Sequence, residues 1–187
     1  MSDTNTLKKV TKKRVLDGIL LINKPVGKTS NQVLQHIKRG YCVKKAGHTG
    51  TLDPFASGLL IACFGQATKV SGLLLDADKG YRATLKLGIK TTTADLEGDP
   101  VQEASVPPIN VNEIRSILQS FIGPGEQTPP MFSALKQDGK RLYELAREGK
   151  VVERKARKIV IHRIELLDCK EQEIRFEVVC SKGTYVR

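Results

Sequence analysis

Apolar positions come in short bursts along this chain, separated by turns rich in glycine and proline. Gly18-Ile19-Leu20-Leu21-Ile22 is an unbroken apolar run ending at Asn23-Lys24-Pro25, which predicts a buried strand followed by a turn. Val33, Leu34 and Ile37 then recur at helical spacing, with Ser30 as the expected N-cap. A glycine-punctuated stretch over 46–58 leads into Leu59-Leu60-Ile61-Ala62-Cys63-Phe64, a second predicted strand, and 66–75 reads as a helix. Positions 81–87 alternate with period two, as in a half-buried strand. The 89–110 stretch is acidic, proline-bearing and loop-like. Ile114, Ile117, Leu118 and Phe121 mark an amphipathic helix, 123–130 reads as another loop, and 159–167 and 174–180 as two further strands. The pattern predicts a mixed α/β or α+β domain with a largely antiparallel sheet and no internal repeat. The final stretch, 181–187, reads either as a terminal strand or as the point where the chain stops inside its domain.

Charge adds a partner class. Thirty-one Lys and Arg stand against 20 Asp and Glu in 187 residues, a formal charge of +11. That excess favours a polyanion, above all a nucleic acid. Residues 1–16 hold Lys8, Lys9, Lys12, Lys13 and Arg14 against Asp3 and read as a flexible basic tail before an ordered part starting at Asp17. Positions 136–163 hold ten basic and four acidic residues. No stretch of 18 apolar residues occurs, so no membrane span is expected, and the polar N-terminus lacks the apolar segment of a secretory leader. Cys42, Cys63, Cys169 and Cys180 show no C-x-x-C spacing, and His36, His48 and His162 are scattered. Reduced thiols, a cytoplasmic setting and no structural metal are expected.

The 46–58 stretch carries the candidate chemistry. Asp53 precedes Pro54, which disfavours helical geometry at the aspartate, and Gly47, Gly50 and Gly58 permit close backbone approach to a ligand. A carboxylate shown on such a loop can serve as nucleophile or base, while from composition and spacing alone Asp-Pro reads first as a helix N-cap with proline in the first position. His48 reads as a general base, a stacking group or a polar loop residue. Lys24 reads as a turn residue supporting the Asp53 loop or as a catalytic group. Gly27-Lys28-Thr29-Ser30 lacks the spacing of a phosphate loop and reads as a capped turn.

Ala46-Gly47-His48-Thr49-Gly50-Thr51-Leu52-Asp53-Pro54-Phe55-Ala56-Ser57-Gly58 resembles the uridine-binding signature of the TruB family of tRNA pseudouridine synthases, G-H-x-G-x-L-D-P-x-A-x-G. Asp17 to Pro25 with Gly27, Thr29 and Ser30 resembles the family's opening motif, and Lys79-Gly80-Tyr81-Arg82-Ala83 its tyrosine motif. Pro129-Pro130-Met131-Phe132-Ser133-Ala134-Leu135-Lys136, with Gly139, Tyr143, Ala146, Arg147 and Gly149, is similar to its RNA-contacting insertion. Cys180-Ser181-Lys182-Gly183-Thr184-Tyr185-Val186-Arg187 resembles its arginine motif.

The resemblance implies a pseudouridine synthase fold: an α+β domain with a mostly antiparallel sheet flanked by helices and a central RNA-binding cleft. It implies a catalytic domain over 17–187 with an insertion at about 124–158, lacking the C-terminal end of the domain and the PUA domain that usually follows. It implies that the T-loop uridine of tRNA, conventionally position 55, is isomerised to pseudouridine by a monomer without cofactor or metal. Asp53 corresponds to the essential carboxylate, Tyr81 to the tyrosine packed on the target base, and Arg187 to the arginine paired with the aspartate. His48 corresponds to the residue holding the opened T-loop. Lys24, Gly47, Thr49, Gly50, Leu52, Phe132, Lys136, Tyr143 and Arg147 fall on segments expected to meet the RNA. Thr91-Thr92-Thr93-Ala94-Asp95 stands where the family commonly shows T-D-T-x-D, so Thr92 replaces an acid, which implies a retuned loop. Two other readings remain at this stage: a tRNA-binding module that needs no Asp53, and a nucleoside hydrolase, which would want a second acid near Asp53.

Overall fold

The computed structural model describes residues 14–187 and divides into two compact units, Met1–Leu75 and Asp76–Arg187. The expected basic tail lies outside the described residues except at its end, where Arg14 bridges to Val43.

In unit 1, β1 (Gly18–Lys24), β2 (Ala46–His48) and β3 (Gly58–Phe64) form an antiparallel sheet in the order β1-β3-β2. Helix α1 (Ser30–Gly40) supplies Leu34, which packs with Val43, Ala62 and Phe64 above Leu20 and Ile22 of β1. The N-cap of α1 is Thr29, not Ser30. Thr29 Oγ1 accepts from the Gln32 amide at 3.1 Å and Gln32 Oε1 accepts from the Thr29 amide at 2.8 Å, a reciprocal capping box. The single helix expected over 66–75 is a 3₁₀ turn, Gly65–Val70, followed by the short α2 (Ser71–Asp76). Neither piece fully buries a residue, so no packed face holds them in one α-helical register.

In unit 2, β4 (Lys79–Lys86) is followed by a hairpin of β5 (Ile89–Thr91) and β6 (Pro100–Glu103), within the span expected to be loop. Helix α3 (Val111–Ser120) starts at Asn110, whose side chain accepts from the amides of Asn112 and Glu113. Gly123–Gln127 is a strand, β7, where a loop was expected. It forms one edge of the sheet β4-β11-β10-β7 with β10 (Arg157–Lys170) and β11 (Glu173–Cys180), and an edge strand tolerates Pro124. Leu118 of α3 closes a core of Ile164, Ile174, Val178 and Cys180. The remaining segment holds the two-residue strands β8 (Lys136–Gln137) and β9 (Lys140–Arg141) and the helix α4 (Leu142–Arg147). Residues 181–187 are not a strand. Ser181 exchanges hydrogen bonds with the Val160 backbone, and the Gln127 side chain brackets Tyr185 through two bonds of 2.8 Å.

The architecture is α+β with antiparallel sheets and few helices. Among the described residues no helix is long and apolar enough to cross a membrane. Nor do three His, Cys, Asp or Glu side chains gather there as metal ligands would. All four cysteines are free thiols, and burial pushes those of Cys63 and Cys180 above their ordinary pKa.

Candidate functional site

Asp53 does not cap a helix. Its carbonyl accepts from the Ala56 amide at 3.1 Å, so it opens a tight turn with Pro54 and Phe55 at the centre, and the chain then enters β3. The loop is fixed from both sides. On one side, the Ser30 hydroxyl, at the first turn of α1, accepts from the Leu52 amide at 2.9 Å and donates to the Leu52 carbonyl at 3.1 Å. On the other, the Gly27 amide donates to the Pro54 carbonyl at 2.8 Å. Upstream, the Thr49 amide donates to the Ile61 carbonyl at 3.0 Å, which ties the loop to β3.

Lys24, the last residue of β1, is fully buried. Its Nζ donates to the carbonyls of Lys28 at 2.6 Å, Pro25 at 2.9 Å and Pro54 at 3.4 Å. All three ammonium protons therefore have backbone acceptors, and the side chain has no exposed atom to offer RNA. The structure places it as a strut beneath the turn that carries Asp53. Burial lowers its pKa, and the negative charge of Asp53 draws it partly back. Sequence reading singled out Lys24 but missed Ser30 as its counterpart, because a serine next to a helix start reads first as a cap.

His48 ends β2, with its Nδ1 buried and without a hydrogen-bond partner. Gly47 and Gly50 flank it, and a Cβ at either would meet nothing within 4 Å, so the backbone beside His48 is open to a ligand. Gly50 has φ +152°, which side-chain-bearing residues rarely adopt. Leu52 and Thr49 instead face inward to partial and full burial.

Tyr81 and Arg187 belong to unit 2. Tyr81 is half-buried on β4 opposite Val178 and packs against the core of that unit. Arg187 Nη1 donates to Asp95 Oδ2 at 2.5 Å, with the two side chains only 14% and 4% exposed. Asp95 Oδ1 accepts from the Thr93 hydroxyl at 2.5 Å and from the Glu97 amide at 2.9 Å. Thr91 Oγ1 bonds both the amide and the carbonyl of Asp95. Thr92 Oγ1 accepts from the Asp99 amide at 3.2 Å, a loop-closing task that needs an oxygen but no charge. Asp95 as the partner of Arg187 was not read from the sequence. The available signal was its place as the acid that closes the Thr91-Thr92-Thr93-Ala94-Asp95 stretch.

In the expected RNA-contacting insertion, Phe132 is half-buried, Lys136 lies on β8, and Tyr143 and Arg147 lie on α4. The guanidiniums of Arg141 and Arg147 sit 5.7 and 5.5 Å from the Tyr143 ring centroid, and Arg141 also donates to the Tyr143 hydroxyl at 2.8 Å. The ring thus serves to order two cations.

Residues 38–186 match the family model described as TruB family pseudouridylate synthase (N terminal domain). The chain is 54% identical over 172 residues to tRNA pseudouridine synthase B of Hydrogenovibrio crunogenus, covering 92% of this chain and 57% of the relative. It is 55% identical over 175 residues to the protein of that name from Burkholderia pseudomallei, covering 94% and 58%. The chain therefore spans a little over half the length of these relatives. Its fold also matches the crystal structure of a Cbf5-Nop10-Gar1 complex, with TM-score 0.69 and 30% identity over 92% of this chain and 42% of that one. A second match is an H/ACA RNP bound to a substrate RNA containing 2'-deoxyuridine, with TM-score 0.63 and 28% identity over 92% and 40%. With most of its length under the family model, the chain belongs to the TruB family of pseudouridylate synthases.

Proposed function

We propose that this chain is the core of an enzyme that isomerises the T-loop uridine of tRNA, position 55, to pseudouridine, acting as a cytoplasmic monomer without cofactor or metal. The observation that carries the reading is the Asp53 turn. It is held by Ser30 on one side and by Gly27 and Lys24 on the other, so the carboxylate sits on a rigid mount rather than capping a helix. The names of the relatives support tRNA as the substrate.

The chemistry is internally balanced. The target nucleotide leaves its stack at a cost of a few kcal/mol, offset by stacking and phosphate contacts. The C1′–N1 bond breaks, the freed base turns in place, and a C1′–C5 bond forms. The proton on C5 is lost and one is gained at N1, so no group or electron pair leaves the nucleotide. An ionised Asp53 stabilises or captures the electron-poor sugar carbon, as carboxylates do in glycoside cleavage. The roles of Tyr81 against the base and of Arg187 as the aspartate's partner rest on the family resemblance. His48, Gly47 and Gly50 form the open edge that receives the loop backbone.

Asp53→Asn in a chain of the relatives' full length, incubated with unmodified T-arm RNA and mapped chemically for pseudouridine, should give no product while RNA affinity stays within a few-fold. Turnover by that variant would remove Asp53 from its role.

A further inference from the structure

The positive charge of the protein is not confined to where sequence inspection looks first. Positions 136–163 attract attention, but unit 2 as a whole holds nineteen basic and seventeen acidic residues. Many of its cations are matched on its own surface: Glu148 holds Lys140 and Lys150, and Glu177 holds Arg82 and Arg163. Unit 1 holds eight basic residues against two acids over positions 14–75. Those acids are Asp17, which accepts from the Gln66 amide, and Asp53 itself.

Five cations of unit 1 are gathered by the backbone. After α1 the chain turns tightly at Cys42, where φ is +55°. The Val43 amide donates to the Lys38 carbonyl at 3.0 Å and the Cys42 amide to the Arg39 carbonyl at 3.1 Å. Arg14 docks on the same turn, its amide on the Cys42 carbonyl and its carbonyl on the Lys44 amide. Arg14, Lys38, Arg39, Lys44 and Lys45 therefore crowd one turn, four of them exposed and Lys38 half-exposed, and among the described residues none pairs with a carboxylate. Tyr41 stands among them 54% exposed, tilted against Phe64. From Lys45, β2 leads straight to His48, about 10 Å along the strand at the usual rise per residue.

We infer that this turn is a phosphate-binding surface that seats the RNA backbone next to the His48–Asp53 loop, with Tyr41 offering a ring for stacking. The inference rests on the RNA-modifying reading above and extends it to a surface that the motif residues do not include. Unpaired, exposed cations around an exposed aromatic ring are what a strand of phosphates and bases requires. The surface shares a unit with Asp53, so its position relative to the loop is set by β2 itself.

The test uses the 187-residue chain and an unmodified T-arm stem-loop, with affinity measured across salt concentration. Arg39→Gln/Lys44→Gln/Lys45→Gln should make the slope of log affinity against log salt shallower by about two to three. The affinity lost between about 50 and 200 mM salt should be about 20- to 40-fold smaller than in the unaltered protein. These side chains are exposed, so the melting temperature should hold, and Arg39→Lys should keep the slope. An unchanged slope in the folded triple variant would overturn the inference while leaving the pseudouridine reading to the Asp53 experiment. A salt-independent affinity of the unaltered chain would overturn it as well.

Discussion

Replacing Lys24 by methionine tests the claim that a buried ammonium holds the Asp53 turn. Methionine keeps the stem's volume and removes three donors. The bonds to Lys28 at 2.6 Å and Pro25 at 2.9 Å are full charge-assisted contacts, and that to Pro54 at 3.4 Å is weak. Such bonds contribute about 1.5–3 kcal/mol each, and a buried carbonyl left bare costs about 1–3 kcal/mol. The Pro54 carbonyl retains the Gly27 amide, so two carbonyls lose their donor. Against this stands relief from burying a charge, itself worth several kcal/mol. The expected net loss is about 2–4 kcal/mol, or about 5–15 °C in melting temperature for a chain of this size. Urea unfolding gives the first number. Hydrogen exchange at the Gly27 amide gives the local one, because that amide reports directly on the turn. The pH dependence has a definite sign. Burial sets the folded pKa of Lys24 below its ordinary 10.5, so between the two values the unfolded chain binds more protons. Stability of the unaltered protein therefore gains as pH rises toward 10.5, and Lys24→Met lacks that gain. The gap between the two proteins should widen from neutral to alkaline pH. A variant of equal stability with unchanged Gly27 exchange, or a gap that narrows with pH, would refute the strut.

Ser30→Ala removes both bonds to Leu52 and leaves a buried amide bare, so a loss of about 1–3 kcal/mol in urea unfolding is expected, with faster exchange at Leu52. Thr29→Ala, which removes only the cap, should cost about 1 kcal/mol and leave Leu52 exchange untouched. Asp95→Asn removes the carboxylate oxygen that Arg187 Nη1 contacts, and should lower stability in urea unfolding by about 1–3 kcal/mol. In a full-length chain the same change should slow pseudouridine formation at least tenfold with RNA affinity preserved, and a loss of affinity alone would count against a role for Asp95 in placing Arg187.

The loop that carries His48 and Asp53, and the supporting place of Lys24 beneath it, were legible because their surroundings are local: a glycine-spaced loop before an apolar run, and a lysine wedged between a strand and a proline. The elements built on buried apolar faces were legible for the same reason. What escaped the sequence was set by partners distant along the chain. Ser30 looks like a cap from its neighbours, and only the return of the chain at Leu52, 22 residues on, gives its hydroxyl a different use, while Thr29 takes the cap. Gly123-Pro124-Gly125 looks like a loop by composition, and becomes a strand because β10 offers an unpaired edge at 157–161. Asp95 and Arg187 lie 92 positions apart, and no local pattern announces their pairing.

The net charge misleads in a related way. A formal +11 identifies the partner class, but a sum ignores which cations already have carboxylates beside them. Attraction to a polyanion comes from cations whose field is not cancelled nearby, since opposite charges within a few ångströms look neutral beyond a screening length of about 10 Å. By that criterion the ten basic residues over 136–163 are discounted by three, since Lys140 and Lys150 pair with Glu148 and Arg163 pairs with Glu165 and Glu177. The five cations around the Cys42 turn, none of them paired with a carboxylate among the described residues, count in full. From Gly18 to Leu52 the chain contains no acid at all, and the first to appear is Asp53. A carboxylate alone in a cationic stretch is a poor choice for surface solubility and a suitable one for acting on an anionic substrate that the same stretch attracts.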